Sequence, residues 1–205
     1  MVNTEHNAPL SREIRAQQTE TTVIVYQAFS HEIANSAVQF GKFDEHFSRS
    51  RMTWIKPSFL WMAYRSGWAT KPGQEVVLAI EITRTGFGWA LQNSCLSHFE
   101  ESTFANQDDW QQRLDASSVR IQWDPERNIL HEPLKHRAIQ IGLSREAVGL
   151  YANEWIVSIA DTTPLCHEIK TLTSKGNFDE ALSRLPIETH YELPISLSNH
   201  IGATV

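Results

Sequence analysis

Residues 49–71 carry five basic groups, Arg49, Arg51, Lys56, Arg65 and Lys71, and no acidic one. Between them stand Trp54, Phe59, Trp61, Tyr64 and Trp68. Cations interleaved with aromatic faces suit a ligand that joins phosphate to a stackable ring. The alternative is a packing face, because Trp54, Trp61 and Trp68 recur every seven residues. Pro57 interrupts that helical register.

A second cluster is Gln122-Trp123-Asp124-Pro125-Glu126-Arg127. Polar groups at a strand end are where sheet proteins often place chemistry. Asp124 and Glu126 suit a base or a hydrogen-bond acceptor; a turn with a local Glu/Arg ion pair is the bland alternative. A third candidate is Tyr26-Gln27, where an amide in an apolar strand needs partners, either structural or from a ligand. Arg15 and the pair Arg137 and Gln140 are weaker candidates. The nine histidines are scattered without zinc-ligand spacing, and neither HExxH, a P-loop nor GxSxG occurs. No metal is expected.

These groups need a scaffold, and the chain is long enough to supply one. It has 205 residues, 41% hydrophobic, with a net charge of −6. That balance excludes a uniformly basic nucleic-acid coat protein but allows a local basic site. Two cysteines exclude a disulfide framework. No apolar run approaches about 18 residues, so no membrane span is expected. The start, MVNTEHNAPL, has no cationic or apolar leader pattern, and a cytoplasmic setting is expected.

The pattern predicts a strand over 21–29, a helix from His31 that Gly41 stops, a short strand at RMTWI, and a helix after Pro57 that Gly67 ends. EVVLAIEIT is the strongest strand signal; Gly86 and Gly88 are expected to break it. VRIQW and RAIQIGL read as strands, the first ended by Asp124-Pro125. A helix capped by Ser144 is expected over SREAVGLYANEWIVSIA, and another after Asn177. Residues 1–20 read as frayed, or as a short helix over 11–18, and the tail after Pro186 as irregular. Helices and strands mix without a strict alternation, which predicts one α+β domain over 1–205, its core about 12–165 and a helical extension over 166–205.

RMTWIKPSFLWMAYRSGW, QWDPER and RAIQIGL together resemble the domain-of-unknown-function family 4291, over about residues 12–165. More distantly, VIVYQAFSHEIANSAVQFGKF is similar in layout to the first strand and helix of DarT-type ADP-ribosyltransferases. There a Tyr-His pair ends the strand; here Tyr26 matches the Tyr and Gln27 stands at the His. WIKPSFLWMAYRSG resembles the segment bearing their NAD-contacting arginine, with Lys56 at or beside its position. The triplet Gly73-Gln74-Glu75 and the pair Asp109-Trp110 also resemble segments of that group. Its catalytic glutamate has no counterpart within VRIQW. Gln122 or Arg120 falls near the place and Glu126 lies beyond Pro125.

The resemblance implies an ADP-ribosyltransferase-like split mixed sheet flanked by helices, with NAD as substrate and ADP-ribose passed to an acceptor. Lys56, with Arg51 or Arg65, would face the pyrophosphate; Trp54 or Tyr26 would stack on a ring; Gln27 would bond the ribose or the amide. Glu126 or Asp124 would face the positive charge that develops on the sugar, with Gln122 orienting. The acceptor stays open among a nucleic acid, a protein side chain and a small molecule. So does a non-catalytic nucleotide or nucleic-acid binding module, or an interaction protein with a Trp-rich interface. Gln27, Lys56 and Glu126 are expected to line one cleft.

Overall fold

β-branched residues in Thr22–Phe29 (β2) and Val76–Thr83 (β4) set these two strands side by side, antiparallel and in full register from Thr22↔Thr83 to Phe29↔Val76. Ile156–Asp161 (β8) pairs with the other edge of β4, giving the order β2-β4-β8. A second sheet is built on the hairpin of Val119–Arg127 (β6) and Pro133–Leu143 (β7). Thr53–Ile55 (β3) adds to β7, and Ser94–Leu96 (β5) adds parallel to β6, giving β3-β7-β6-β5. A third, minimal sheet pairs Arg15–Ala16 (β1) with Thr189–His190 (β9). The computed structural model describes residues 11–204; the leader reading of MVNTEHNAPL lies outside them.

One backbone pair joins the two large sheets. The Tyr26 N–H donates to the Lys56 carbonyl at 2.7 Å, and the Lys56 N–H returns a bond to Tyr26 at 3.3 Å. Beyond this pair the edges of β2 and β3 diverge, and a cleft opens between them.

Helices cover the sheets. His31–Phe40 (α1) ends on Gly41 at φ 66°. Phe59–Ser66 (α2) is capped by Ser58, whose hydroxyl accepts from the Trp61 N–H, and ends on Gly67 at φ 61°. Gln107–Ala116 (α4) is capped by Asn106. Thr163–Ser174 (α6), Phe178–Ser183 (α7) and Ile195–Ile201 (α8) follow. The main core joins Val23, Val25, Ile80, Ile82, Phe87, Ile121, Ile141 and Tyr151; a second cluster joins Tyr26, Phe59, Met62, Val77, Cys166 and Ile169. The chain is a single α+β domain with mixed sheets flanked by helices.

Several expectations are corrected. Gly86 and Gly88 do not break the chain but lie inside a helix, Arg84–Gln92 (α3), capped by Thr83. A Cβ on Gly86 would stand 2.3 Å from Trp155 Cγ, so the glycine admits the indole. The helix from Ser144 is short: Glu146–Leu150 (α5), then a π-helical turn over Tyr151–Trp155, then β8. Ile156, Val157 and Ile159 favour a strand, and the open edge of β4 accepts it. Strand β6 runs through Pro125 with a register shift between Pro125 and Arg127. Residues 11–18 hold β1, and the tail after Pro186 holds β9 and α8. These local preferences are weak, and pairing at a distance decides them. Among the described residues no helix is long and apolar enough to cross a membrane.

Candidate functional site

The seam between the sheets holds a cleft of about 620 Å³, a size suited to a small ligand. One wall is Gln27 from β2 with Thr53, Trp54 and Lys56 on and after β3. A second is Trp61, Met62 and Arg65 of α2. The floor is Gln122 and Asp124 of β6 with Gln140 of β7. Arg51 and Arg65 are exposed at the rim.

Lys56 decides the electrostatics. It is 4% exposed, and its ammonium makes no hydrogen bond or ion pair among the described residues. It stands 5.0 Å over the Trp61 ring. Burial pushes its pKa down to about 7, Arg65 pushes the same way, and Asp124 opposes. The Trp61 indole N–H beside it is also buried without a partner. A buried lysine without an ion pair and a buried N–H without an acceptor, meeting where two walls of the cleft join, are what an anionic ligand would complete.

Asp124 is the single carboxylate among the cleft-lining residues. The Gln122 amide donates to it at 3.0 Å, and the Gln140 amide donates to its other oxygen. Gln122 and Gln140 are register partners across β6 and β7, so the hairpin itself sets this clamp.

Gln27 lines the cleft but is already engaged. Its amide N–H groups donate to Thr53 Oγ1 at 2.7 Å and to the Trp54 carbonyl at 3.1 Å, and its carbonyl accepts from Tyr151 at 2.7 Å. This glutamine braces the diverging strands. Trp54 pairs in register with Gly142, where a Cβ would stand 2.9 Å from the indole, so glycine leaves room for the ring against β7.

Arg51, Trp54, Lys56, Arg65, Gln27, Gln122 and Asp124 thus come together. Tyr26 does not: alternation along β2 turns it into the second core cluster, 1% exposed and 5.5 Å edge-on to Phe59. It offers no ring face to the cleft. Glu126 also lies outside. Strict alternation from Gln122 and Asp124 would bring it in, but the irregularity after Pro125 leaves it in a separate small cavity with Pro57 and Ser58. Burial raises its pKa. The expectation that Gln27, Lys56 and Glu126 share one cleft is therefore corrected. Arg15 pairs with Glu13 at 2.8 Å and lines the small cavity that holds Glu126, not the cleft. Among the described residues no cluster of three or more His, Cys, Asp and Glu side chains is placed to hold a metal.

Sequence reasoning missed Thr53, Gln74 and Tyr151. The need of Gln27 for partners was the signal, but no spacing names a tyrosine 124 positions away. Gln74 belongs to the Gly73-Gln74-Glu75 turn and lines the cleft.

The family described as domain of unknown function (DUF4291) matches residues 13–191, nearly the whole described chain. The chain belongs to the DUF4291 family. The match reaches from before β1 to just past β9, so this DUF4291 domain includes both large sheets and the seam between them. No curated protein matches the chain.

Proposed function

We propose that this DUF4291 protein binds NAD in the seam cleft, breaks its nicotinamide–ribose bond and transfers ADP-ribose to an acceptor. The observation that carries the reading is the single clamped carboxylate, Asp124, opposite a buried and unpaired Lys56 in a cleft between two sheet edges. The two edges parting from one backbone pair also support the split-sheet arrangement of ADP-ribosyltransferases.

In this reading Lys56 faces the diphosphate, with Arg51 and Arg65 at the rim, and the half-buried Trp54 lines the same cleft as the aromatic partner for a ring of the ligand. As the bond to nicotinamide lengthens, positive charge grows on the ribose. Asp124 faces that charge and the two glutamines keep it there, so little reorganisation is needed during the step. Gln27 holds the wall rather than the ligand, and Glu126 takes no part. The test is incubation with isotopically labelled NAD and mass spectrometry of released nicotinamide and of labelled products. Release that Asp124→Asn lowers by about 10²-fold or more is the expected result. Tight NAD binding without release would favour the second reading, a non-catalytic nucleotide or nucleic-acid binding module. What favours that reading is the absence of a glutamate among the cleft-lining residues.

A further inference from the structure

A second pocket, about 330 Å³, lies against the other side of the Asp124 carboxylate. It shares Gln122 and Asp124 with the seam cleft, so these two residues form a ridge between two cavities. Its far wall is Ser97 and His98, just after β5, and Arg137 of β7.

The charges on this wall are unequal in availability. Arg12 is closed off, paired with Glu100 at 2.7 Å. Asp124 is held by its two amides. Arg137 spends one N–H on the Trp123 carbonyl at 2.9 Å and has no carboxylate within ion-pair distance among the described residues. Its remaining guanidinium donors are unspent. His98 is exposed, with Nδ1 3.0 Å from the Ser97 hydroxyl, which leaves Nε2 for a ligand. An uncompensated guanidinium beside an imidazole and a hydroxyl is a donor set for an oxyanion.

We propose that this pocket is a second ligand site, for a small oxyanion of the carboxylate or phosphate monoester type, and that this oxyanion is the acceptor of the ADP-ribosyl group. The oxyanion site stands on the geometry above; its role as acceptor rests on the NAD reading. The chemistry of the ridge favours such an acceptor. Both Asp124 oxygens already accept hydrogen bonds, so it is placed to face positive charge rather than to remove a proton. An oxyanion needs no base. A lone pair on its oxygen forms the bond to ribose C1′, the C1′–N bond breaks with its electron pair passing to nicotinamide, and nicotinamide leaves neutral without a proton transfer.

The test titrates the full chain with inorganic phosphate and, separately, with acetate, following the His98 ring resonances by NMR, identified by their loss in His98→Asn. A saturable His98 shift with either probe is expected, and which probe acts names the oxyanion. Arg137→Gln should weaken it by about tenfold or more, the loss of one charge-assisted contact. Ser97→Tyr keeps every charge and fills the pocket, so it should abolish the shift even where Arg137→Gln fails to fold. No saturable shift with either probe, or full binding by folded Arg137→Gln, overturns the site. The acceptor role is read apart, by mass spectrometry of labelled NAD with the probe that binds. An ADP-ribosyl ester of that probe supports it. Nicotinamide release without the ester overturns the acceptor role alone, whereas no release at all overturns the NAD reading and, with it, the acceptor role, and leaves the oxyanion site standing.

Discussion

Lys56 stands 5.0 Å from the Trp61 ring in the cleft wall, and neither its ammonium nor the indole N–H has a hydrogen-bond partner among the described residues. Lys56 carries its charge below about pH 7 and loses it above. Affinity for a phosphate-bearing ligand should therefore fall as pH rises through 7, approaching about tenfold per unit when ligand contact depends on that charge. Lys56→Met should remove most of the affinity and the pH dependence together, with a thermal midpoint no lower than the native one, since a buried unpaired charge is replaced by an apolar chain. Calorimetric titration with NAD or pyrophosphate between pH 6 and 9 checks this, and a flat profile for the native protein would refute it.

Asp124→Asn keeps the shape of the clamp and removes the charge. Nicotinamide release should drop by about 10²-fold or more, while the dissociation constant for NAD changes only a few-fold. A parallel loss of binding and release would instead mark Asp124 as a structural anchor for Gln122 and Gln140.

Tyr151→Phe removes the hydroxyl that donates to Gln27 at 2.7 Å and leaves a buried amide oxygen unpaired. The expected loss is about 1–3 kcal/mol by urea unfolding. The wall carrying Thr53 and Trp54 should loosen with it, seen as faster amide exchange in β3.

Gly86→Ala would push a methyl into Trp155. Helix propensity alone favours alanine by about 1 kcal/mol, yet the variant should be destabilised by about 1–3 kcal/mol through overpacking. Gly88→Ala, with open space at its Cβ, is the internal control and should be neutral or stabilising.

Glu188, half-buried, accepts from the Phe59 N–H at 2.8 Å at the start of α2. Burial, with a smaller push from Glu126, raises its pKa to about 8. A folded-state value above the unfolded one means that the folded state holds the proton more tightly. Its stabilising share is complete below about pH 4.5 and is lost as pH rises to about 8. Glu188→Gln should flatten the fall of thermal midpoint across that window.

Much of the seam was legible because local patterns mark it. The β-branched runs of β2 and β4 and the caps at Gly41 and Gly67 stand as their residues direct. The basic aromatic stretch does supply the walls of a cleft, through Trp54, Lys56, Trp61 and Arg65. Glu126 was misplaced because the strand was expected to end at Asp124-Pro125, whereas it runs on through Pro125 with a register shift before Arg127. Tyr26 was misplaced because it and Gln27, adjacent in sequence, must face opposite sides of β2.

What the sequence alone determined is therefore local: which segments extend, where helices stop, and that one acidic chain carries a basic aromatic stretch. Those properties follow from backbone sterics, capping and composition within a few residues. What tertiary structure decided is every relation across distance. It turned Ile156–Asp161 from helix to strand by giving it the edge of β4, and ran a helix through Gly86 by setting Trp155 against it. It also buried Lys56 in the cleft without an ion pair, with Asp124 acting on it from within the same cleft while held between two glutamines. Burial and pairing depend on which surfaces meet, and no short stretch of chain contains that information.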